Sequence, residues 1–315
     1  MPDDSLTPGD GELAASMNDF EAALNARSVT LGSPSLDTIL AVIDGSNQSA
    51  MTVGLAAAVA ERSGALLHLA HVHAGPADPA RDALVGELAE RSGAGGVQVR
   101  IVPSAPDGRP PHERITALAA DLDADLLVVP APFLEAFEEL GSDSVGVTLD
   151  KLMTQSRPLL VVREPRDEPR ESLRPVLLPI TVHLQENPLA AAWALRIVGE
   201  GGTLRLVSVV GDEVLDAAAD LIGEHDAGEL DLEHLAGLDR PETAGLVAEV
   251  HRQAQVRGLG CRVSVRHGDL VAEVMAIAEE GQRLIVTGCD TDPASSSYRR
   301  VQAIVRRAKD PVLVV

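Results

Sequence analysis

The sequence predicts an α/β protein built of two tandem, doubly wound, five-stranded parallel-sheet domains. Three observations carry that expectation. Short Val-, Ile- and Leu-rich runs alternate with longer amphipathic stretches along most of the chain. The runs are apolar at successive positions rather than at alternate ones, the mark of strands covered on both faces. And a series of five such runs occurs twice, in the same order.

In the first half the strand candidates are Ile39 to Ile43, Leu66 to Val72, Val97 to Val102, Leu126 to Val129 and Leu159 to Val162. Helical patterns such as Ala50 to Arg62 and His112 to Leu122 separate them. In the second half the runs are Val176 to Ile180, Leu204 to Val210, Cys261 to Val265, Leu284 to Thr287 and Val312 to Val315. Ile39 and Leu67 map onto Val176 and Leu204 with the same offset of 137 residues. Val97 maps onto Cys261 at 164, so the second half gains 27 residues between its second and third strands. The expected organisation is an N-terminal arm (1–36), repeat 1 (37–163), a linker (164–174) and repeat 2 (175–315). Pro165, Pro169 and mixed charge favour an extended, solvated linker. In the arm, Leu13, Met17, Phe20 and Leu24 share one face of a helix.

The 315 residues carry 26 Lys+Arg against 48 Asp+Glu, a net charge of −22. Such a field repels phosphate backbones, so nucleic acid and anionic membrane are not the expected partners. Aromatic residues make up 2 %, too few for base-stacking platforms. The charge is concentrated: residues 1–36 hold six acids and one Arg, residues 212–242 eleven acids and one Arg. The second stretch falls in the repeat 2 insertion, and both are candidate contacts for a basic partner surface. Two cysteines, Cys261 and Cys289, make no disulfide framework. With an acidic start and no apolar run of 18 residues, the expectation is a soluble, cytoplasmic protein.

Asp44-Gly45-Ser46 stands where the first strand ends and a helix begins. Ligands of open α/β sheets sit beyond the carboxyl ends of strands, and a carboxylate there can bond a ribose or an adenine amino group. The same three residues also suit a plain strand-to-helix turn. Ser295-Ser296-Ser297 followed by Arg299 and Arg300 could hold an anion at a helix start, or serve as an N-cap with solvated arginines. His71 and His73 share one face of a strand, but no further ligand of metal spacing stands near them in sequence. No Gly-x-x-x-x-Gly-Lys and no Gly-x-Ser-x-Gly occurs, and no base and nucleophile pair is visible.

The run Ile39 to Ser46, the segments Leu67 to Val72 and Asp125 to Val129, and the endings Pro158 to Val162 and Pro311 to Val315 together resemble the universal stress protein family. Gly268-Asp269 before a helix and Leu284 to Gly288 extend the likeness into the second half. The resemblance implies two tandem domains of the adenine nucleotide alpha hydrolase-like fold. It also implies an ATP loop after the fourth strand, of pattern G-x-x-G, nine residues, then G-[ST]. Glycines there let backbone N–H groups approach phosphates. This chain departs from the pattern twice. Repeat 1 has Pro130, Phe133 and Asp143 at the glycine positions and Ser144 at the hydroxyl position. Repeat 2 keeps Gly288 but has Thr291 next, a loop five residues shorter, and Ile180-Thr181 where the first strand should end in an acid.

The expectation is therefore a non-enzymatic regulatory or stress-response protein with degenerate nucleotide sites, acting through protein contacts and without a cofactor. An adenine-nucleotide sensor is the alternative, holding AMP or ATP at Asp44, Gly45, Ser46 and Ser144, or at Gly288, Ser297 and Arg299. A weak nucleotide hydrolase is the third reading. Phe133 and Phe137 would fill or lid the repeat 1 cleft, with the N-terminal helix packed on them or on a partner. The family pairs through its last strand, so Leu159–Val162 and Val312–Val315 are candidates for pairing within the chain or in a homodimer.

Overall fold

The computed structural model describes residues 29–72, 79–103, 107–134, 140, 144–164, 168–180, 187–211, 241–281 and 284–315. Expectations that fall elsewhere lie outside the described residues: the N-terminal helix, the acidic stretch over 212–240, His73, Phe137, Asp143 and Thr181.

The strands are β1 (Thr38–Ile43), β2 (Leu66–His71), β3 (Val99–Val102), β4 (Leu126–Pro130) and β5 (Leu159–Val162), then β6 (Pro175–Ile180), β7 (Thr203–Val210), β8 (Gly260–His267), β9 (Leu284–Thr287) and β10 (Val312–Val314). The helices are α1 (Ser49–Ser63), α2 (Pro79–Ala94), α3 (Pro111–Asp121), α4 (Val147–Met153), α5 (Asn187–Ile197), α6 (Pro241–Val256), α7 (Leu270–Glu279) and α8 (Ser296–Arg307). All ten strands form one sheet in the order β3-β2-β1-β4-β5-β10-β9-β6-β7-β8. Each half has the same strand order, third-second-first-fourth-fifth, and is parallel throughout.

Continuous apolar runs give strands with two buried faces, and the helices supply both covers. On one face α1, α2, α5 and α6 pack over residues such as Ile39, Leu67, Val176 and Leu204. On the other, α3, α4, α7 and α8 pack over Leu40, Val129, Leu177 and Val312. The halves join at β5 and β10, antiparallel, with Leu160 opposite Leu313. Both strands already have a second neighbour, β4 and β9 respectively. Neither is therefore an edge strand of this sheet.

Three sequence expectations change. Leu67 faces Val99, as Leu204 faces Cys261, so the repeats align Val99 with Cys261. The offset is then 162 and the insertion 25 residues; Val97 and Gln98 belong to the approach to β3, not to the strand. The linker is not extended throughout, because Pro169–Leu173 form a 3-10 helix with Ser172 and Leu173 buried. It lies close on α1 because residue 54 is glycine: a Cβ there would stand 2.7 Å from Pro169 Cγ. The end of the arm is also part of the fold, since Leu31 and Leu36 are buried in the first core.

Polar contacts bind the halves as well. Arg62, in the last turn of α1, donates to the carbonyls of Ile197 (2.6 Å) and Val198 at the end of α5. Arg163 donates to the Arg306 carbonyl in the last turn of α8. Both guanidiniums thus sit at the negative ends of helices. The Tyr298 hydroxyl of α8 reaches the Asp150 carbonyl and carboxylate of α4, at 2.9 and 2.8 Å.

Candidate functional site

In this strand order the chain turns opposite ways from β1 and β4, so a crevice is expected between their carboxyl ends. Asp44 follows β1 directly, and Pro130 to Leu134 end β4 and leave it. The crevice is bridged by the chain itself. The Leu134 N–H donates to Asp44 Oδ2 at 3.1 Å. Asp44 Oδ1 accepts the Ser46 N–H at 2.9 Å and faces the Ser49 hydroxyl at 3.5 Å. Both carboxylate oxygens are engaged, and Asp44 is 5 % exposed. Gly45 has φ +79°, a conformation the turn into α1 demands and glycine adopts without strain. The Ser46 hydroxyl is buried and makes no hydrogen bond among the described residues.

Phe133 enters the second core beside Leu40, Val42 and Val129 and is 1 % exposed. Leu134 carries φ +60°, costly for a bulky side chain, while its N–H meets Asp44. Phe133 is therefore taken up into the core next to the crevice; the part of the expectation concerning Phe137 lies outside the described residues. Ser144 does not join Asp44 in any described contact. Its hydroxyl accepts the Gly146 N–H at 3.1 Å, closing the turn before α4.

In repeat 2 the equivalent crevice lies between β6 and β9. Its described residue set is Pro179, Leu270, Thr287, Ser297, Arg300, Val301 and Ile304, around a cavity of about 10 Å³. That is room for a single water. Gly288 is buried, and the next N–H, of Cys289, donates to the Val315 carbonyl at 2.8 Å. One backbone N–H of the loop that the family resemblance assigns to phosphate is thus taken by the Val315 carbonyl. Past it, Asp290 and Asp292 accept backbone N–H groups at 3.0 and 2.9 Å, placing two carboxylates in the loop. Ser295 caps α8, its hydroxyl accepting the Tyr298 N–H at 3.0 Å. Ser297 lines the small cavity with its hydroxyl unpartnered among the described residues. Arg299 is exposed and donates to the Ala294 carbonyl of its own turn at 3.1 Å, so Arg300, not Arg299, borders the crevice.

Two groups escaped the sequence reading. The Leu134 N–H is a backbone donor and has no residue-type signal. The Tyr298–Asp150 link joins residues 148 apart, and only the position of the chain's single tyrosine on an amphipathic helix hinted at it. Of the histidine pair, His71 is buried and His73 lies outside the described residues. Burial, reinforced by Arg100 on the adjacent strand, holds the His68 imidazole below its usual range. Among the described residues, no group of three or more His, Cys, Asp or Glu is placed to hold a metal. Among them, too, no helix is long and apolar enough to cross a membrane.

A doubly wound sheet with its expected crevice at the end of β1 defines the class as an open α/β-sheet protein. Residues 35–163 match the universal stress protein family, and the chain belongs to it. No curated protein matches the chain by sequence. Among solved structures, a universal stress protein from Archaeoglobus fulgidus DSM 4304 is 13 % identical, with a TM-score of 0.56. The alignment covers 88 % of this chain and 95 % of that one, so the likeness of fold runs through both halves. Protein Rv1636 from Mycobacterium tuberculosis H37Rv is 30 % identical over 30 % of this chain and 71 % of its own, with a TM-score of 0.25. A universal stress protein solved in complex with cAMP is 22 % identical over 41 % of this chain and 97 % of its own, with a TM-score of 0.33.

Proposed function

We propose that the chain is a non-enzymatic regulatory or stress-response protein of two universal stress protein units, acting in the cytoplasm through protein contacts. Its nucleotide crevices are retained as architecture and closed as sites. The observation that carries this reading is the Leu134–Asp44 hydrogen bond. It uses the carboxylate that a nucleoside would need, and the preceding residue, Phe133, is buried in the second core. In repeat 2 a cavity of about 10 Å³ and the carboxylates of Asp290 and Asp292 support the same conclusion. The acidic segments around 1–36 and 212–242 are the proposed contacts for a basic partner surface.

One observation favours a sensor of AMP or ATP: Asp44 stands at the crevice where the sheet's connections diverge. Nucleotide would then have to displace Phe133 and Leu134. Mass spectrometry of small molecules released from denatured protein separates the readings, together with calorimetric titration by ATP and AMP. The expected result is no released nucleotide and no binding at micromolar concentration. Micromolar binding of either nucleotide would overturn the closed-site reading in favour of the sensor.

A further inference from the structure

The ten-stranded sheet ends in two edges, β3 and β8. The β3 edge is four residues long, whereas β8 has eight, about 26 Å of strand. It pairs in parallel with β7, and no described strand pairs with its other side. The Gly260 N–H donates to the Gly202 carbonyl, and the Gly268 N–H to the Val210 carbonyl. Backbone direction alternates along a strand, so Arg262, Ser264 and Arg266 also turn their N–H and carbonyl groups to β7. Cys261, Val263 and Val265 turn theirs outward, where they meet no hydrogen-bond partner among the described residues. Val263 is 41 % exposed.

The two faces of β8 differ in chemistry. Arg262, Ser264 and Arg266 share one, beside Arg205 of β7, which stands opposite Arg262. Glu280, just past α7, serves two of these three guanidiniums, Arg205 at 2.6 Å and Arg266 at 3.2 Å. Arg262 is exposed and has no ion pair among the described residues. Three cations sharing one acid make a basic stripe on a chain whose net charge is −22. Cys261, Val263 and Val265 share the other face, where Cys261 packs on the first core.

We propose that β8 is a docking edge for an extended acidic segment of a partner protein, which adds one more strand to the sheet. The outward groups of Cys261, Val263 and Val265 supply the ladder, and the side chains beside them supply the selection. In an added strand, alternate side chains lie beside Arg262 and Arg266, and those between lie beside Val263 and Val265. The segment that fits therefore reads acid, apolar, any, apolar, acid, with β-branched residues favoured at the apolar positions. A second copy of this chain fits worse. Pairing β8 with β8 antiparallel about Ser264 sets Arg262 opposite Arg266, like charge against like charge. Charges on an edge strand deter such self-pairing, and the same charges favour an acidic strand. β7 separates this edge from the crevice between β6 and β9, so the proposal stands whether or not a crevice takes a nucleotide.

Amide exchange of the full-length chain, read residue by residue with the capped peptide Thr-Glu-Val-Thr-Val-Glu-Thr as probe, tests this. In the chain alone the Val263 and Val265 amides should exchange freely, while those of Arg262 and Ser264 are protected by β7. Excess peptide should slow Val263 and Val265 at least several-fold. Arg262→Glu, at an exposed position, should abolish that effect without changing the circular dichroism spectrum. Val263→Pro removes one outward N–H and keeps the bonds to β7, so it should also abolish the peptide's protection of Val265. Protection of both amides in the chain alone would mean that another part of the chain covers the edge. Protection that grows with protein concentration would mean that a second copy does, and either result overturns the proposal. So would equal protection by the peptide with Lys in place of both Glu, or none by the acidic peptide at millimolar concentration.

Discussion

Replacing Phe133 by Ala is expected to lower stability by about 3–5 kcal/mol, measured by denaturant unfolding. The side chain is 1 % exposed and touches a core shared by both halves, so the void has no solvent to fill it cheaply. The same substitution tests why the crevice is closed. If Phe133 occupies a nucleoside site, its removal should give a variant whose melting temperature rises with added AMP, while the parent shows no response. No response in either protein would mean that the crevice has lost the nucleoside chemistry itself. Leu134→Gly is the companion change. It keeps the N–H bonded to Asp44 and removes the strain of a bulky residue at φ +60°, at the loss of a partly buried side chain. It should therefore destabilise far less than Phe133→Ala and leave the crevice closed to AMP.

Much of the fold was legible because its information is local. Leu159–Val162 and Leu284–Thr287 read as strands from composition alone, and both have those limits in the structure. The fusion of the halves was legible in part, since two apolar final strands each needed a cover. The register of β3 was not. Val97 is as apolar as Val99, and only the ladder to Leu67 decides between them. The linker misled for a similar reason. Pro169 argues against an α-helix interior, yet it begins a 3-10 turn whose close seat on α1 needs the missing Cβ of Gly54, a residue 115 positions earlier. At the candidate site, Asp44 and Gly45 were found by position, while the fate of the Asp44 carboxylate depended on a backbone N–H 90 residues away. Arg299 and Arg300 are adjacent and chemically alike, so only the direction of each side chain separates a turn contact from a crevice contact.

Tyr298→Phe is expected to lower stability by about 1–3 kcal/mol, because the hydroxyl serves both the Asp150 carboxylate and its carbonyl across the junction of the halves. Tyr298→Ala adds the loss of a side chain that is 1 % exposed and should cost about 3–5 kcal/mol. Gln302 also donates to Asp150, at 3.0 Å, so the carboxylate keeps one partner in either variant and the loss stays short of that for an abandoned buried charge. The pH dependence gives a sharper signature. Burial first, then the hydrogen bond and charge of Asp150, push the Tyr298 hydroxyl well above the ordinary tyrosine range. The unfolded chain ionises its tyrosine near pH 10, so it binds fewer protons than the folded chain above that value. The stabilisation is therefore fully present below about pH 10 and declines as pH rises beyond it. Tyr298 is the chain's one tyrosine, so absorbance of tyrosinate near neutral-to-alkaline pH reports this residue alone. The native protein should show no tyrosinate at pH 10 and should acquire it only on unfolding. Burial also raises the Cys261 thiol, which adds its own alkaline slope. Comparison with Tyr298→Phe removes that contribution, and the decline in stability above pH 10 should be shallower in the variant. An equal decline in both proteins, or tyrosinate appearing near pH 10 in the folded chain, would mean that α8 and α4 are not held together by this hydroxyl.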